Sequence, residues 1–243
     1  MKLLKISILL VISSVLASFA YGGTAKNRVL SNPVTVLELF TSQGCSSCPP
    51  ANKFVREMTE ADSDVLTLSY SVDYWDYLGW KDTFGKPEFS ARQRTYGKQF
   101  GGKVYTPQMV INGAVHSSKF SDKKVRAQKL VATPQNTPQI KVEAAGDKLN
   151  IEILATPVSK KSLSIMAVRY RPGLETVPVK RGENRGRTIN LANVVQACKE
   201  IGRMKTSASF SKKLPALTDG EALVILVQDG RGGPILGAAN YTP

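Results

Sequence analysis

The sequence has little of the material from which most metal and nucleic-acid sites are built. Of 243 residues, three are cysteine, one is histidine and two are tryptophan. With His116 as the sole histidine, a zinc site has no fourth ligand that the sequence can name. Acidic residues are scarce as well, 19 against 33 basic ones, for a formal net charge of +14. That excess is spread over both halves and includes no basic motif interleaved with aromatics, so no nucleic-acid partner is expected. The compositions that mark disorder, collagen or a coiled coil are missing. Past Ala20, no apolar run reaches the roughly 20 residues that a spanning helix needs, so no membrane span is expected.

The first segment that is present reads as a secretory signal over residues 1–20. Lys2 and Lys5 make a basic start, Ile6 to Leu16 an apolar centre, and Ser18-Phe19-Ala20 a small-x-small cleavage site. The alternative is an uncleaved anchor. A periplasmic or secreted protein is expected, and in an oxidising compartment a cysteine pair can persist as a disulfide.

The chain is organised around Ser42-Gln43-Gly44-Cys45-Ser46-Ser47-Cys48-Pro49-Pro50-Ala51. Val34 to Phe40, before it, is a strand-forming apolar run; residues 47–60, after it, form a helix with Phe54, Val55 and Met58 on one face. A helix N-terminus offers unpaired N–H groups and the positive end of a dipole, which favour a thiolate. In C-x-x-C motifs so placed, the first thiol's pKa falls to roughly 3.5–7.5. Cys45 is therefore the candidate nucleophile and Cys48 the resolving thiol. A purely structural disulfide is a poor alternative, because closing so small a ring stabilises little.

Val65 to Val72 is a second buried strand, giving a right-handed βαβ unit. The end of that strand falls beside the Cys45 turn, and there lies Asp73-Tyr74-Trp75-Asp76-Tyr77-Leu78-Gly79-Trp80, which contains both tryptophans. Tyr74, Trp75 and Trp80 are either a wall that receives an extended peptide or apolar ligand, or a packing plug between domains. Pro87 to Phe100 forms a helix with Phe89, Arg92 or Gln93, Tyr96 and Phe100 on one face. Val104 to His116 forms two strands around an Asn112-Gly113 turn, and Ser121 caps a last helix to about Ala132. Residues 134–139, with two prolines among polar residues, read as a linker between a domain at 24–133 and one at 140–243. The second half holds short strands at 140–144, 149–155, 163–170, 188–195, 208–214 and 222–228, which suggest a β-sandwich. A helical face through Leu191, Val194, Val195, Cys198 and Ile201 is the alternative at that one place.

The order β-α-β-α-β-β-α, with C-x-x-C after the first strand and Thr106-Pro107-Gln108 leading the hairpin, resembles the thioredoxin fold. The resemblance implies that Pro107 is cis and lies against the cysteines, and that the backbone at Thr106 pairs with a substrate chain. LELFTSQGCSSCPPA, VDYWDYLGWKD, ARQRTYG, VYTPQMVINGA, RGENRGRTINLANVV and GGPILGAA together resemble a secreted bacterial family, domain of unknown function 1223, with a thioredoxin-like fold. Ser46-Ser47 replaces the Gly-Pro of ordinary thioredoxins and the aromatic loop is extra, so neither potential nor partners carry over. By the same resemblance, Glu38 is either a buried acid that takes the resolving thiol's proton or a salt-bridged structural residue.

The expectation is thus an α/β thioredoxin-like domain followed by a mostly-β, sandwich-like domain. Its function is that of a thiol-disulfide oxidoreductase acting on a protein or small thiol/disulfide substrate, with no cofactor. A copper(I) binding or delivery protein using Cys45, Cys48 and His116 is the alternative from another class, since thiolates and imidazole suit that ion. A non-catalytic interaction protein is the third. Cys198 reads as an inert buried thiol rather than a relay, and Arg181, Arg185 and Arg187 as a solvated turn rather than an anion site.

Overall fold

The computed structural model describes residues 28–30, 35–61, 64–119, 121–127, 137–154, 159 and 162–243. The expected signal at 1–20, the end of the last expected helix and the first part of the expected linker lie outside these residues. The fold is mixed α/β, dominated by one large mixed sheet with a second, antiparallel sheet.

In chain order the elements are β1 (Arg28–Leu30), β2 (Thr35–Thr41), α1 (Pro49–Ala61), β3 (Val65–Ser71), α2 (Pro87–Gln99), β4 (Gln108–Ile111), β5 (Val115–Ser117) and α3 (Asp122–Ala127). Then follow β6 (Ile140–Ala145), β7 (Lys148–Ile153), β8 (Leu163–Pro178), β9 (Thr188–Met204), β10 (Phe210–Pro215), β11 (Ala222–Gln228) and β12 (Ile235–Thr242). Parallel β2 and β3 pair Thr35 with Val65 through Thr41 with Ser71, and every residue of both is buried. This is why their sequences read as nearly continuous apolar runs. Pro49 and Pro50 occupy the first turn of α1, where a missing N–H costs nothing. The β4–β5 turn has Asn112 and Gly113 at φ 50° and 63°, the doubly left-handed form that an Asn-Gly pair favours. A Cβ on Gly113 would lie 2.7 Å from the Gly233 carbonyl oxygen, so glycine is required there on two counts.

The nine-stranded sheet runs β1-β12-β11-β8-β9-β3-β2-β4-β5, and β10-β7-β6 form the second sheet. The halves expected as separate domains at 24–133 and 140–243 therefore share one sheet. They also share one core, in which Phe40, Tyr70, Phe89 and Tyr96 meet Val168, Tyr170, Val224 and Leu226. The splice is made by polar groups. Ser69 Oγ donates to the Ala192 carbonyl at 2.6 Å and Asn193 Nδ2 donates to the Thr67 carbonyl at 3.1 Å, with Asn193 itself at φ 48°. Helix α1 covers one face of β2 and β4 through Leu37, Leu39, Val55, Met58 and Met109, and α2 covers the other. The sandwich-like part is local. The second sheet packs Val142, Ile151 and Ile153 against Ile165, Ile225 and Tyr241 of the large one.

Strands β8 and β9 are longer than their apolar runs foretold, 16 and 17 residues, and the helical alternative at 191–201 gives way to strand. β1 and β12 had no counterpart among the expected strands. Among the described residues, no helix is long and apolar enough to cross a membrane.

Candidate functional site

The site is built where β2 ends and α1 begins. Cys45 N–H donates to the Ser42 carbonyl at 3.2 Å, Cys48 N–H to the Cys45 carbonyl at 3.1 Å, and the Cys48 carbonyl receives the first α1 amides, Ala51 and Asn52. Both cysteines are free thiols and both are buried, Cys45 1% exposed and Cys48 0%, while Ser46 and Ser47 are exposed. Cys45 Sγ lies 3.3 Å from Ser47 Oγ.

The two thiols are electrostatically unlike. A hydrogen bond from Cys48 pulls the Cys45 pKa down to about 6; burial opposes this, and the Ser47 and Thr106 hydroxyls and the Ser47 N–H add to the fall. Burial pushes Cys48 far up, reinforced by its hydrogen bond to Cys45 and by that neighbour's charge, with the Thr41 hydroxyl and the Ser42 backbone acting against. One proton shared by two sulfurs leaves the outer one anionic near neutral pH.

The loop before β4 reaches the pair through Thr106, and the Thr106–Pro107 peptide is cis. Gln93 Nε2 holds this loop by donating to the Tyr105 carbonyl at 2.7 Å and to Gln108 Oε1 at 2.8 Å. Trp75 Nε1 donates to Thr106 Oγ1 at 2.8 Å, and the Trp75 Cβ lies 3.4 Å from where a Cβ on Gly44 would sit. Tyr74 is half-buried, its hydroxyl pushed up to about 12 mainly by burial, and close enough to feel the charge of both cysteines. Trp80 belongs elsewhere. It packs with Phe84 against Val179, Ile189, Leu191 and Val194, and its indole N–H donates to Gln43 Oε1 at 2.9 Å. The aromatic loop thus splits, with Trp75 beside Thr106 and Trp80 packed against the start of β9.

Two further features complete the site. Asp82, 3% exposed, accepts from the Gln43 N–H at 2.7 Å and ties the aromatic loop to the cysteine turn. Burial raises its pKa, with the Gln43 and Phe84 amides working against the rise. The second is the turn between β8 and β9. Fully buried Asn184 donates from Nδ2 to the Gln43 carbonyl at 2.9 Å and the Cys45 carbonyl at 2.8 Å, while Glu183 Oε2 accepts from the Ser46 N–H at 3.2 Å. A chain segment almost 140 residues away thereby clasps the cysteine turn. The only local hint was RGENRGR, a polar stretch bracketed by glycines. Arg181, Arg185 and Arg187 are exposed on this turn, and Arg187 Nη1 also donates to Asn184 Oδ1 at 3.2 Å.

Glu38, His116 and Cys198 are not brought to the pair. Glu38 faces α2, opposite the face that α1 covers, and pairs with Arg92 Nε at 2.7 Å and with the Tyr96 hydroxyl. It takes the structural of its two expected roles. His116 is aligned with Val110, itself aligned with Glu38, so it faces the same side as Glu38. There it stacks on Phe100 at 4.5 Å and its Nδ1 bonds the Tyr105 hydroxyl at 2.8 Å. Burial, then Lys103, lowers its pKa. Cys198 packs against the α2 core, its thiol pushed up to about 11 mainly by burial. Among the described residues, no cluster of three or more His, Cys, Asp or Glu could hold a metal ion.

No curated protein matches the sequence. The crystal structure of protein AGR_C_4864 from Agrobacterium tumefaciens is similar at 30% identity and a TM-score of 0.67, covering 87% of this chain and 95% of that one. HBP35 of Porphyromonas gingivalis shares the fold at 13% identity and a TM-score of 0.57, covering 86% of this chain and 74% of its own. A model of the family described as "Protein of unknown function (DUF1223)" matches residues 36–228, most of the sequence and all of the cysteine site. By that match the chain belongs to this family of unknown function.

Proposed function

We propose that the chain is a thiol-disulfide exchange protein with a thioredoxin-like fold, working in the cell envelope. The envelope location rests on the secretory pattern of the N-terminus. The observation that carries the reading is the unequal cysteine pair, with Cys45 lowered to about 6 beside a Cys48 pushed the other way. In the reduced protein, the Cys45 thiolate attacks one sulfur of a substrate disulfide. That S–S bond breaks, a Cys45–substrate bond forms, and the leaving thiolate takes a proton from water. Cys48 then gives up its proton and attacks the Cys45 sulfur. The second substrate thiolate leaves, the Cys45–Cys48 bond forms, and two electrons have passed to the substrate. With Cys45 1% exposed, attack requires the residues around it to move aside first.

The test is trapping. Cys48→Ala, mixed with a protein or small disulfide, should accumulate a covalent adduct on Cys45 visible by mass spectrometry, and Cys45→Ser should not. If Cys45 alkylates readily yet Cys48→Ala forms no adduct, the reading fails.

A further inference from the structure

We propose that the cleft between α1 and the start of β9 is an oxyanion subsite, taking a carboxylate or phosphate. Resting on the exchange reading above, we assign it to the anionic end of a disulfide presented to Cys45. The cleft holds a cavity of about 200 Å³ lined by Pro49, Asn52, Lys53 and Arg56 from α1 and by Thr188, Ile189 and Asn190 from β9. Two of its residues carry buried N–H groups that lack acceptors. Asn52 is 3% exposed; its Oδ1 accepts from the Thr41 hydroxyl at 2.8 Å, but its Nδ2 has no hydrogen-bond partner. Arg56 Nε is buried and also unbonded, with Glu60 at 3.9 Å, beyond hydrogen-bond length. Buried N–H groups left without acceptors are rare in folded proteins, and here two of them belong to residues that line one cavity.

Lys53 and Arg56 line the cleft and no acid does; each cation has a carboxylate of the same helix at ion-pair distance, Glu57 at 3.7 Å and Glu60 at 3.9 Å, both more than half exposed and so open to competition from an anion in the cleft. Asn52 and Lys53 also sit in the first turns of α1, at the positive end of its dipole. Pro49 and Pro50 have no N–H, so anion binding falls to the side chains. Exposed Arg187, directly before Thr188, and Arg185, two residues earlier, extend the positive field towards the cysteine turn. At 1.5 Å per residue, Asn52 lies roughly 6 Å along α1 from Cys48, within the length of a short peptide.

Two measurements test this. Inorganic phosphate titrated into the reduced full-length protein should bind saturably by calorimetry. Arg56→Gln, and Asn52→Asp, which keeps the acceptor for Thr41, should each weaken it roughly tenfold, the effect of losing one charge-assisted hydrogen bond. Arg56→Lys should recover part of the loss. Phosphate binding that never saturates, or that neither variant changes, overturns the subsite. The second measurement is the ratio of Cys45 reaction rates with glutathione disulfide, which carries carboxylates, and with uncharged bis(2-hydroxyethyl) disulfide. Arg56→Gln should lower this ratio several-fold, and an unchanged ratio overturns the assignment to the substrate's end. Saturable, Arg56-dependent phosphate binding with neither disulfide reacting would uphold the anion site while sinking the exchange reading.

Discussion

Two of the buried polar clusters along the sheet differ in kind, and the contrast between them separates scaffold from site. On the α2 face, Arg92 gives Nε to Glu38, Nη1 to Gln228 Oε1 at 3.2 Å and Nη2 to the Tyr96 hydroxyl at 2.8 Å; Gln228 Nε2 donates in turn to Tyr96 and to the Gly233 carbonyl. This network joins α2 to β2 and β11, so it ties the first half of the chain to the second. At the end of β2, by contrast, backbone carbonyls are fastidiously capped by Asn184 while two sulfurs share one proton and can give it up. A saturated buried network holds a fold together, whereas reactivity needs a group left in want of a partner.

Four experiments probe the difference between the two regions. The largest effect is expected at Arg92. Arg92→Met should strand Glu38 in the core and lower unfolding stability by about 3–5 kcal/mol, read from urea denaturation. The double variant Glu38→Leu/Arg92→Met should lose less than the single one. If the single variant costs under about 1 kcal/mol, the network is not the structural tie described here. Next comes Asn184→Ala, which leaves the Gln43 and Cys45 carbonyls short of a donor and should cost about 1–3 kcal/mol by the same measurement.

The third concerns pH. With Cys45 at about 6, its alkylation rate should fall roughly tenfold between pH 7 and pH 5, following the thiolate fraction. The linked stability has a definite sign. The folded pKa of Cys45 is depressed below its ordinary value of 9.0, so between about 6 and 9.0 the unfolded chain holds the proton that the folded one has released. The contribution is full above 9.0 and is lost as pH falls through about 6. Cys45→Ser should flatten that slope in the reduced protein. An alkylation midpoint near 9 would remove the distinction between the two regions. The smallest effect is expected at Trp75. Trp75→Phe keeps the Cβ beside Gly44 but drops the bond to Thr106, and should quicken Cys45 alkylation by a factor of roughly 2–10, the worth of one net hydrogen bond.

Much of the first half was legible because its signals are local. The β2–turn–α1 unit, the α2 face through Phe89, Arg92, Gln93 and Tyr96, and the Asn112-Gly113 turn all follow from periodicity, capping and φ preference within a dozen residues. The apolar runs of the second half predict strands that are present at all six places, but as a separate sandwich, whereas β8, β9 and β11 join the sheet of the first half. Nothing along the chain says that Val194 pairs with Ser69, or that Gln228 bonds Tyr96. Two prolines among polar residues, at 134 and 138, predict a linker between domains, although one core is shared by the elements on either side.

What the sequence settled by itself was the chemistry on offer: two cysteines three apart, behind a strand and at the head of a helix, where backbone amides and the helix dipole favour an anion. Tertiary structure alone decided which groups surround them. Asn184 and Glu183 over the turn, Trp75 against Thr106, and Glu38 turned away to Arg92 are all pairings between residues distant in sequence. Such pairings are selected by shape and by the cost of leaving buried polar groups unbonded, and neither is written in any local pattern.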